Sequence, residues 1–313
     1  MNILTRLSCE LGSSEQDVLR VIASAPIKYK VYTIPKRTQG RRTIAHPAKE
    51  LKTLQRAFIN LYRFPIHSNA MAYRKGLSIR DNASFHKDNQ YLLKMDFENF
   101  FNSITPEIFW NAWKQHWLEV EKLDQRLIEN ILFWAPDESK RHNLVLSVGA
   151  PSSPSISNFC MYNFDHILTK YCIENNIFVT RYADDLTFST NTKDILFTIP
   201  KIVSQILKSL FGKKITINNQ KTIFTSKAHN KHVTGITITP NGELSIGRDR
   251  KKYIKHLVHQ FTLDNLNDSD INHLKGLLSF SQHIEPRFIE SLKRKYSEII
   301  VKNIIRGNDE KSQ

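Results

Sequence analysis

Two adjacent acids between β-rich runs are the residues of this chain whose types and spacing most directly imply chemistry. Tyr182-Ala183-Asp184-Asp185 lies within RYADDLTFS. The flanking runs, Ile177 to Tyr182 and Leu186 to Ser189, read as a tight β-hairpin with the acids at its tip. Strands disfavour Asp, and like charges at close range repel. A divalent cation removes that repulsion: magnesium prefers carboxylate oxygens and completes its octahedron with water and substrate phosphate. A third acid, Asp96, ends the hydrophobic run Tyr91-Leu92-Leu93-Lys94-Met95 and precedes a Phe-rich turn. With strand 91–96 beside the 177–190 hairpin, Asp96, Asp184 and Asp185 converge at one sheet edge. There they can hold two magnesium ions about 3.5–4 Å apart, the apparatus of in-line phosphoryl transfer. Taken singly, Asp96 also reads as a helix N-cap and the Asp-Asp pair as a solvated turn. The joint pattern is what singles them out.

The elements that must position these acids follow from periodicity. Glu15 to Ser24 reads as a helix capped by Ser13 or Ser14, and Tyr29 to Ile34 as a strand. The Pro35–Gly40 turn returns the chain through Arg42 to Ile44, and Pro47 opens a helix to about Tyr62 with Leu51, Leu54, Phe58 and Leu61 at helical spacing. Helices are expected near 105–117 and 124–134, and one long helix over Ser153 to Glu174. The Trp and Phe residues at 109–117 and 133–134 read as core. Short strands are expected over 214–246. Periodic apolar residues at 254–261, 271–280 and 288–300 predict a terminal helical bundle, followed after about Arg306 by a frayed polar tail.

The chain has 313 residues, with 45 Lys plus Arg against 30 Asp plus Glu, a formal charge of +15. At 40% hydrophobic residues it can bury a sizeable core, which excludes wholesale disorder and suits two or three packed subdomains. No apolar run of about 18 residues is present, and the first residues lack the order of a secretory signal, so a cytoplasmic protein without a membrane is expected. Cys9, Cys160 and Cys172 form no CxxC pair and read as reduced thiols. Residues 28–56 carry nine Lys or Arg and one acid, residues 193–255 thirteen and three, while residues 87–139 hold ten acids and five bases. Basic arms around an acidic middle fit a grip on a phosphate backbone with cations gathered between, and imply salt-sensitive nucleic-acid binding; basic residues that merely solvate a surface are the alternative. Arg248, Arg250, Lys251, Lys252 and Lys255, with Tyr253 and His256 interleaved, either track phosphates or form a solvated helix face. His256 and His259 have no carboxylate or cysteine at metal-binding spacing.

Taken together, these residues resemble a reverse transcriptase of the bacterial retron type. YADD resembles the family's catalytic hairpin and LLKMDFENFFNSI its first catalytic strand, so the resemblance makes Asp96, Asp184 and Asp185 the metal ligands, with the Phe97 main-chain carbonyl added. Gly40-Arg41-Arg42-Thr43-Ile44-Ala45-His46-Pro47 resembles the fingers motif that meets the incoming triphosphate through Arg41 and Arg42. Gly149-Ala150-Pro151-Ser152-Ser153-Pro154 with Asn158 resembles the loop and helix that position template and nucleotide, implying roles for Gly149 and Ser153. Lys221 matches the basic residue after the catalytic hairpin. Phe101, five residues after Asp96, takes the place of the bulky side chain under the sugar that excludes a ribose 2′-hydroxyl; without the resemblance it reads as a core aromatic. Asn82-Ala83-Ser84-Phe85-His86 matches the retron NAxxH box, and Val233-Thr234-Gly235 the VTG box, so Asn82, His86, Val233, Thr234 and Gly235 are implied in nucleic-acid binding. The matches run from about residue 28 to 250. Ser147-Val148-Gly149 departs from the Pro-Gln-Gly of many relatives, so the usual Gln contact to the nucleotide is absent.

The resemblance implies an α+β right-hand polymerase. Its N-terminal helix and fingers would span 1–89, a palm with an antiparallel sheet 90–240 with a fingers insertion around 104–157, and a small helical thumb 241–313. It implies an RNA-directed DNA polymerase using two Mg2+ ions, with Mn2+ as a substitute, and dNTPs. The enzyme would bind a cognate structured noncoding RNA, prime from an RNA 2′-hydroxyl and make RNA-linked single-stranded DNA, msDNA. The chain ends soon after the thumb, so removal of copied template is expected to need a host ribonuclease H. An accessory effector protein and a part in anti-phage defence are also implied. A group II intron or diversity-generating reverse transcriptase, and a nucleoprotein scaffold that restrains an effector, are the alternatives.

Overall fold

The computed structural model describes residues 2–35, 40–140 and 142–306. In chain order the elements are α1 (Ile3–Leu11), α2 (Glu15–Ser24), β1 (Tyr29–Pro35), β2 (Arg41–Pro47), α3 (Lys49–Leu61), α4 (Ile79–Phe85), β3 (Tyr91–Asp96), α5 (Phe100–Ser103), α6 (Pro106–Trp113) and α7 (Lys122–Leu132). They continue with α8 (Ser153–Cys160), α9 (Tyr162–Glu174), β4 (Phe178–Tyr182), β5 (Asp185–Thr190), α10 (Ile199–Phe211), β6 (Ile223–Ser226), β7 (Lys231–Val233), β8 (Ile236–Ile238) and β9 (Leu244–Ser245). The last four are helices, α11 (Arg248–Thr262), α12 (Asp268–Ile284), α13 (Pro286–Tyr296) and α14 (Glu298–Arg306). This is an α+β chain with one sheet ordered β4-β5-β3-β6, a β1-β2 hairpin and a three-stranded β7-β8-β9 sheet.

Two compact units emerge. The first comprises residues 1–75, 94–187 and 194–223, the second 76–93, 188–193 and 224–313. In the first, α3 turns Leu51, Leu54 and Phe58 inward, and Phe64, Phe109, Trp113, Phe133, Trp134 and Phe159 are buried around them. The tilted ring pairs Phe64–Phe159 and Phe109–Trp113, at 4.9 and 5.6 Å between centroids, follow the aromatic quadrupole. The core reading holds for Phe109, Trp113, Phe133 and Trp134, while Trp110 and Trp117 are only half-buried. In β1-β2 the antiparallel register runs from Tyr29 opposite Pro47 to Pro35 opposite Arg41. Residues 36–39 of the expected turn lie outside the described residues, as does the tail beyond Arg306.

In the second unit, Val233, Ile236 and Ile238 from the small sheet are buried with Ile254, Val258, Leu274, Leu278, Ile289 and Leu292 from the terminal helices. The capping box at α4, in which Ser78 and Asp81 exchange bonds (Ser78 N–H to Asp81 Oδ2 2.8 Å), starts that helix beside the same core.

Several expectations need correction. The run 153–174 is two helices, because Met161 takes bridge-region dihedrals (φ −88°, ψ 0°) between α8 and α9. The periodicity over 288–300 likewise hides a break, since Ser297 has φ 84° and no right-handed helix passes through a positive φ. Helices α1, α4 and α10 were not foreseen. For α10 the signal was present, with Pro200 in its first turn and Ile199, Val203 and Leu207 on one buried stripe.

Candidate active site

Strands β4 and β5 are neighbours joined only by Ala183 and Asp184, a link short enough to connect antiparallel partners alone. The turn is strained. Ala183 has φ 58°, a left-handed conformation that costs a non-glycine residue about 1–2 kcal/mol. Beside it, the Phe97 N–H donates to the Asp184 carbonyl at 3.0 Å, and the Asn218 N–H donates to the Asp96 carbonyl at 2.8 Å. These bonds bring the end of β3 to the turn, and the three acids meet: the charges of Asp184 and Asp96 both act on Asp185. Burial, then the Asp96 charge, holds the Asp184 carboxyl above the usual carboxylate range. Asp185 is pushed up to about 6 by burial, then by Asp184 and Asp96, against the pull of Lys94. Phe97, whose carbonyl was an expected ligand, is buried with its ring stacked on Phe100 at 5.3 Å.

Hard carboxylate oxygens gathered against their own repulsion are the donor set that Mg2+ accepts. No group of three His, Cys, Asp or Glu among the described residues closes into a ready-made metal cage. A magnesium ion that keeps its waters and takes substrate phosphate oxygens needs only one or two carboxylates, so the site fits that ion. Lys221 Nζ donates to Asp96 Oδ1 at 2.7 Å while more than half exposed, and its charge also reaches Asp184.

Beyond the acids lies a cavity of about 310 Å3, lined by Tyr73, Phe101, Gly149, Ser153, His46, Lys52 and Arg56 among others. Gly149 is there for a close approach: at φ 127° a Cβ would stand 3.0 Å from the Ala45 carbonyl oxygen. The same seam carries the Ala45 N–H to Val148 carbonyl bond at 3.0 Å, so β2 and the 147–154 loop are locked together. That bond uses the Val148 backbone, and the side-chain substitution leaves it intact. Ser153 is 1% exposed, and its hydroxyl has no hydrogen-bond partner. Arg41 is held by the opposite strand, with Nε to Thr33 Oγ1 at 2.7 Å, whereas the Arg42 charge acts on both Asp184 and Tyr73.

Lys52, Arg56 and Tyr73 were not singled out from the sequence. The first two carried a signal, one helical turn apart on the face of α3 away from Leu51, Leu54 and Phe58. Tyr73 carried none, because its φ of 61° is imposed by tertiary structure.

In the second unit the NAxxH and VTG boxes pack on each other. Asn82 Nδ2 donates to Thr234 Oγ1 at 3.4 Å, and Asn82, His86 and Val233 are all 0% exposed. Direct nucleic-acid contact by those three side chains is therefore corrected: walled off from any strand, they support Thr234 and Gly235, both at positive φ, which do reach the surface. His86 Nδ1 lies 2.7 Å from Ser189 Oγ, and burial, then Lys231, pushes its pKa down to about 3. Arg248, Arg250, Lys251, Lys252 and Lys255 line an open groove of about 940 Å3 with Gly235 and His232. Within that set, Lys251 pairs with Glu285 at 2.5 Å, and Arg250 lies over the Phe280 ring at 5.0 Å. Lys252 and Lys255 stay exposed.

Residues 34–238 match the family described as reverse transcriptase (RNA-dependent DNA polymerase). The chain is 48% identical over 278 residues to the Retron Ec83 reverse transcriptase of Escherichia coli, covering 88% of this chain and 89% of that protein. It is 30% identical over 289 residues to the Retron Ec73 reverse transcriptase of the same organism, with the same two coverages. Against the Escherichia coli Retron Ec86 reverse transcriptase it is 28% identical over 307 residues, 95% of this chain and 91% of that one.

Proposed function

The chain belongs to the reverse transcriptase family, as an RNA-directed DNA polymerase of the retron type, and from that premise we propose that it copies part of a cognate structured noncoding RNA into msDNA. In this reading the first DNA strand starts from a 2′-hydroxyl of the RNA, and Asp96, Asp184 and Asp185 hold two Mg2+ ions. The observation that carries it is the convergence of those carboxylates at one turn, each of the latter two held above its ordinary range by burial and by the other acids. Bound there, the ions would activate the attacking hydroxyl and stabilise the pyrophosphate leaving group.

The chain's own residues do the rest. Arg42, projected by the β1-β2 hairpin toward the acids, meets the triphosphate, with Arg41 behind it on Thr33. With a cation held by Asp96, Lys221 would be free to turn from that carboxylate to the phosphates. Phe101 walls the cavity under the sugar and excludes a 2′-hydroxyl by size. Gly149 and Ser153 shape the far wall, with Lys52 and Arg56 as cations for the entering strand. Arg248, Arg250, Lys252 and Lys255 track the phosphates of the structured RNA together with Thr234 and Gly235. We assign fingers to 1–89, palm to 90–240 with an insertion around 104–157, and thumb to 241–313. We place the reaction in the cytoplasm, with a host ribonuclease H trimming the copied template, and with an effector protein as partner in anti-phage defence. No helix among the described residues is long and apolar enough to cross a membrane.

The basic groove also supports a second reading, in which the protein is chiefly a scaffold whose nucleoprotein restrains an effector. Expression with the flanking DNA, followed by a denaturing gel of the bound nucleic acid before and after ribonuclease, separates them. A discrete DNA that shortens slightly with ribonuclease and disappears in the Asp184→Ala, Asp185→Ala double variant is expected. RNA alone, despite magnesium and nucleotides, would leave the scaffold.

A further inference from the structure

Arg181 is among the largest fully buried side chains of the molecule, at 1% exposure, and it sits three residues before Asp184. A buried guanidinium must have every charge and donor answered. Here Nε and Nη2 form a fork on the Asp165 carboxylate at 2.8 and 2.6 Å, with Asp165 itself 3% exposed. The remaining terminal nitrogen, Nη1, donates to Asn158 Oδ1 at 3.0 Å and to the Ala183 carbonyl at 3.1 Å. That last bond falls on the one left-handed residue of the turn, directly before Asp184. Asn158 then donates through Nδ2 to the Ala72 carbonyl at 3.0 Å, next to Tyr73, the left-handed aromatic of the neighbouring cavity. The Arg181 backbone joins the same segment, its N–H donating to the Asn69 carbonyl at 2.9 Å and its carbonyl accepting from Met71 N–H at 2.8 Å.

We propose that Asp165, Arg181 and Asn158 are positioning residues which hold the Ala183 carbonyl, and with it the directions of Asp184 and Asp185, in the geometry that takes up divalent cations. The network joins α8 and α9 to the turn. A strained turn relaxes unless its surroundings over-determine it, and a fixed guanidinium aimed at its carbonyl does so. Coulombic repulsion among the acids pushes the turn open, and the Ala183 anchor opposes that push. Arginine suits the place because its planar fork satisfies Asp165 and still presents a further edge. A lysine offers three donors on one point and cannot span Asp165, Asn158 and the carbonyl together. The proposal rests on the reading of Asp96, Asp184 and Asp185 as metal ligands and deepens it.

The test uses the full chain with three variants. Arg181→Lys keeps the charge without the fork, Asn158→Ala removes one arm, and Arg181→Met with Asp165→Leu replaces the buried pair by apolar groups of similar volume, an exchange that buried ion pairs often tolerate in stability. Two readouts are taken: Mn2+ binding followed by electron paramagnetic resonance, and DNA synthesis as a function of Mg2+ concentration. Loss of an orienting partner behind a metal ligand typically costs 10- to 100-fold in metal affinity or activity. We expect the double variant to melt near the parent temperature, yet to bind Mn2+ about 10-fold more weakly and to need correspondingly more Mg2+, with KM for the nucleotide little changed. Arg181→Lys should fall between. Parent-like Mn2+ affinity in a folded double variant overturns the proposal and makes the network core filling. Should the double variant fail to fold, the same comparison is decided by Arg181→Lys and Asn158→Ala. If the parent makes no DNA at all, the polymerase reading fails, while Mn2+ binding still decides this one.

Discussion

The turn at Ala183-Asp184-Asp185 crowds like charges into a buried place, whereas the opening of α11 spreads like charges along an exposed groove. In the first, the main-chain carbonyls of Asp184 and Asp96 accept backbone bonds at 3.0 and 2.8 Å, and a buried arginine holds the residue before the pair. In the second, Arg250 and Lys251 are tied to their own unit, while Lys252 and Lys255 are exposed, Lys255 with its ammonium 6.0 Å over the Phe288 ring. On the proposed function the difference reflects two tasks. In-line transfer requires its groups placed to fractions of an ångström in a site of low dielectric. Attraction to a phosphate backbone acts over a Debye length and tolerates mobile side chains. Repulsion among the acids is held in place by the fold, where a bound cation would relieve it, while repulsion among the bases is diluted by water.

The largest effect should come from the acids. Asp184→Asn with Asp185→Asn is expected to lower DNA synthesis by at least about 10³-fold, measured by primer extension, with RNA affinity unchanged within about twofold. Its melting temperature in EDTA should rise, because the repulsion is gone; a fall would show that the carboxylates stabilise the turn.

Next in size, Phe101→Ala opens the wall under the sugar. The ratio of kcat/KM for deoxynucleotides over ribonucleotides should fall by about 10- to 100-fold, with the deoxynucleotide value itself less affected. An unchanged ratio would return Phe101 to the core.

A smaller change is expected in the groove. Lys252→Ala with Lys255→Ala should weaken RNA binding and reduce the slope of log affinity against log salt by about 2, without changing the Mg2+ requirement. A slope that stays the same removes these lysines from the phosphate track.

The smallest effect is in pH, where Asp185 in the first unit and His86 in the second respond with opposite sign. Asp185, held up to about 6 by burial and its acidic neighbours, binds its proton more tightly folded than unfolded. Its stabilising contribution is full below the ordinary carboxylate range and is lost as pH rises through about 6. His86, pushed down to about 3 from an ordinary 6.5, stays neutral in the fold while the unfolded chain takes up a proton, so stability is lost as pH falls below about 6.5. All four tryptophans lie in the first unit, so their fluorescence follows that unit alone. In EDTA, urea unfolding by fluorescence should show the parent gaining on Asp185→Asn as pH falls from 7 to 5. Hydrogen exchange in the second unit should show His86→Gln losing less protection than the parent over that range.

Much of the candidate site was legible before the fold. Acids between apolar β-runs are costly unless a cation compensates, and a tight hairpin leaves them nowhere but its tip, so Asp184 and Asp185 stood out from local rules alone. Asp96 needed only the assumption that two strands lie together. The NAxxH and VTG boxes show the opposite case: their pattern was visible, yet the letters do not say whether a polar side chain faces solvent, and Asn82 and His86 proved to be buried. Helix breaks at Met161 and Ser297 were also illegible, since the hydrophobic period continues through both while the backbone does not.

Charge distribution, the alternation that makes a hairpin, the helical stripes and the placing of two acids at a hairpin tip are properties of residues and their near neighbours, and the sequence by itself determined them. Tertiary structure alone decided that Arg181 would turn inward onto Asp165 and the Ala183 carbonyl, that Gly149 would meet Ala45, and that Tyr73 would take a left-handed backbone beside the cavity. Each of these depends on segments distant in sequence arriving at the same point. Local propensity carries no record of such an encounter, because the free energy that settles it comes from desolvation and packing between those segments.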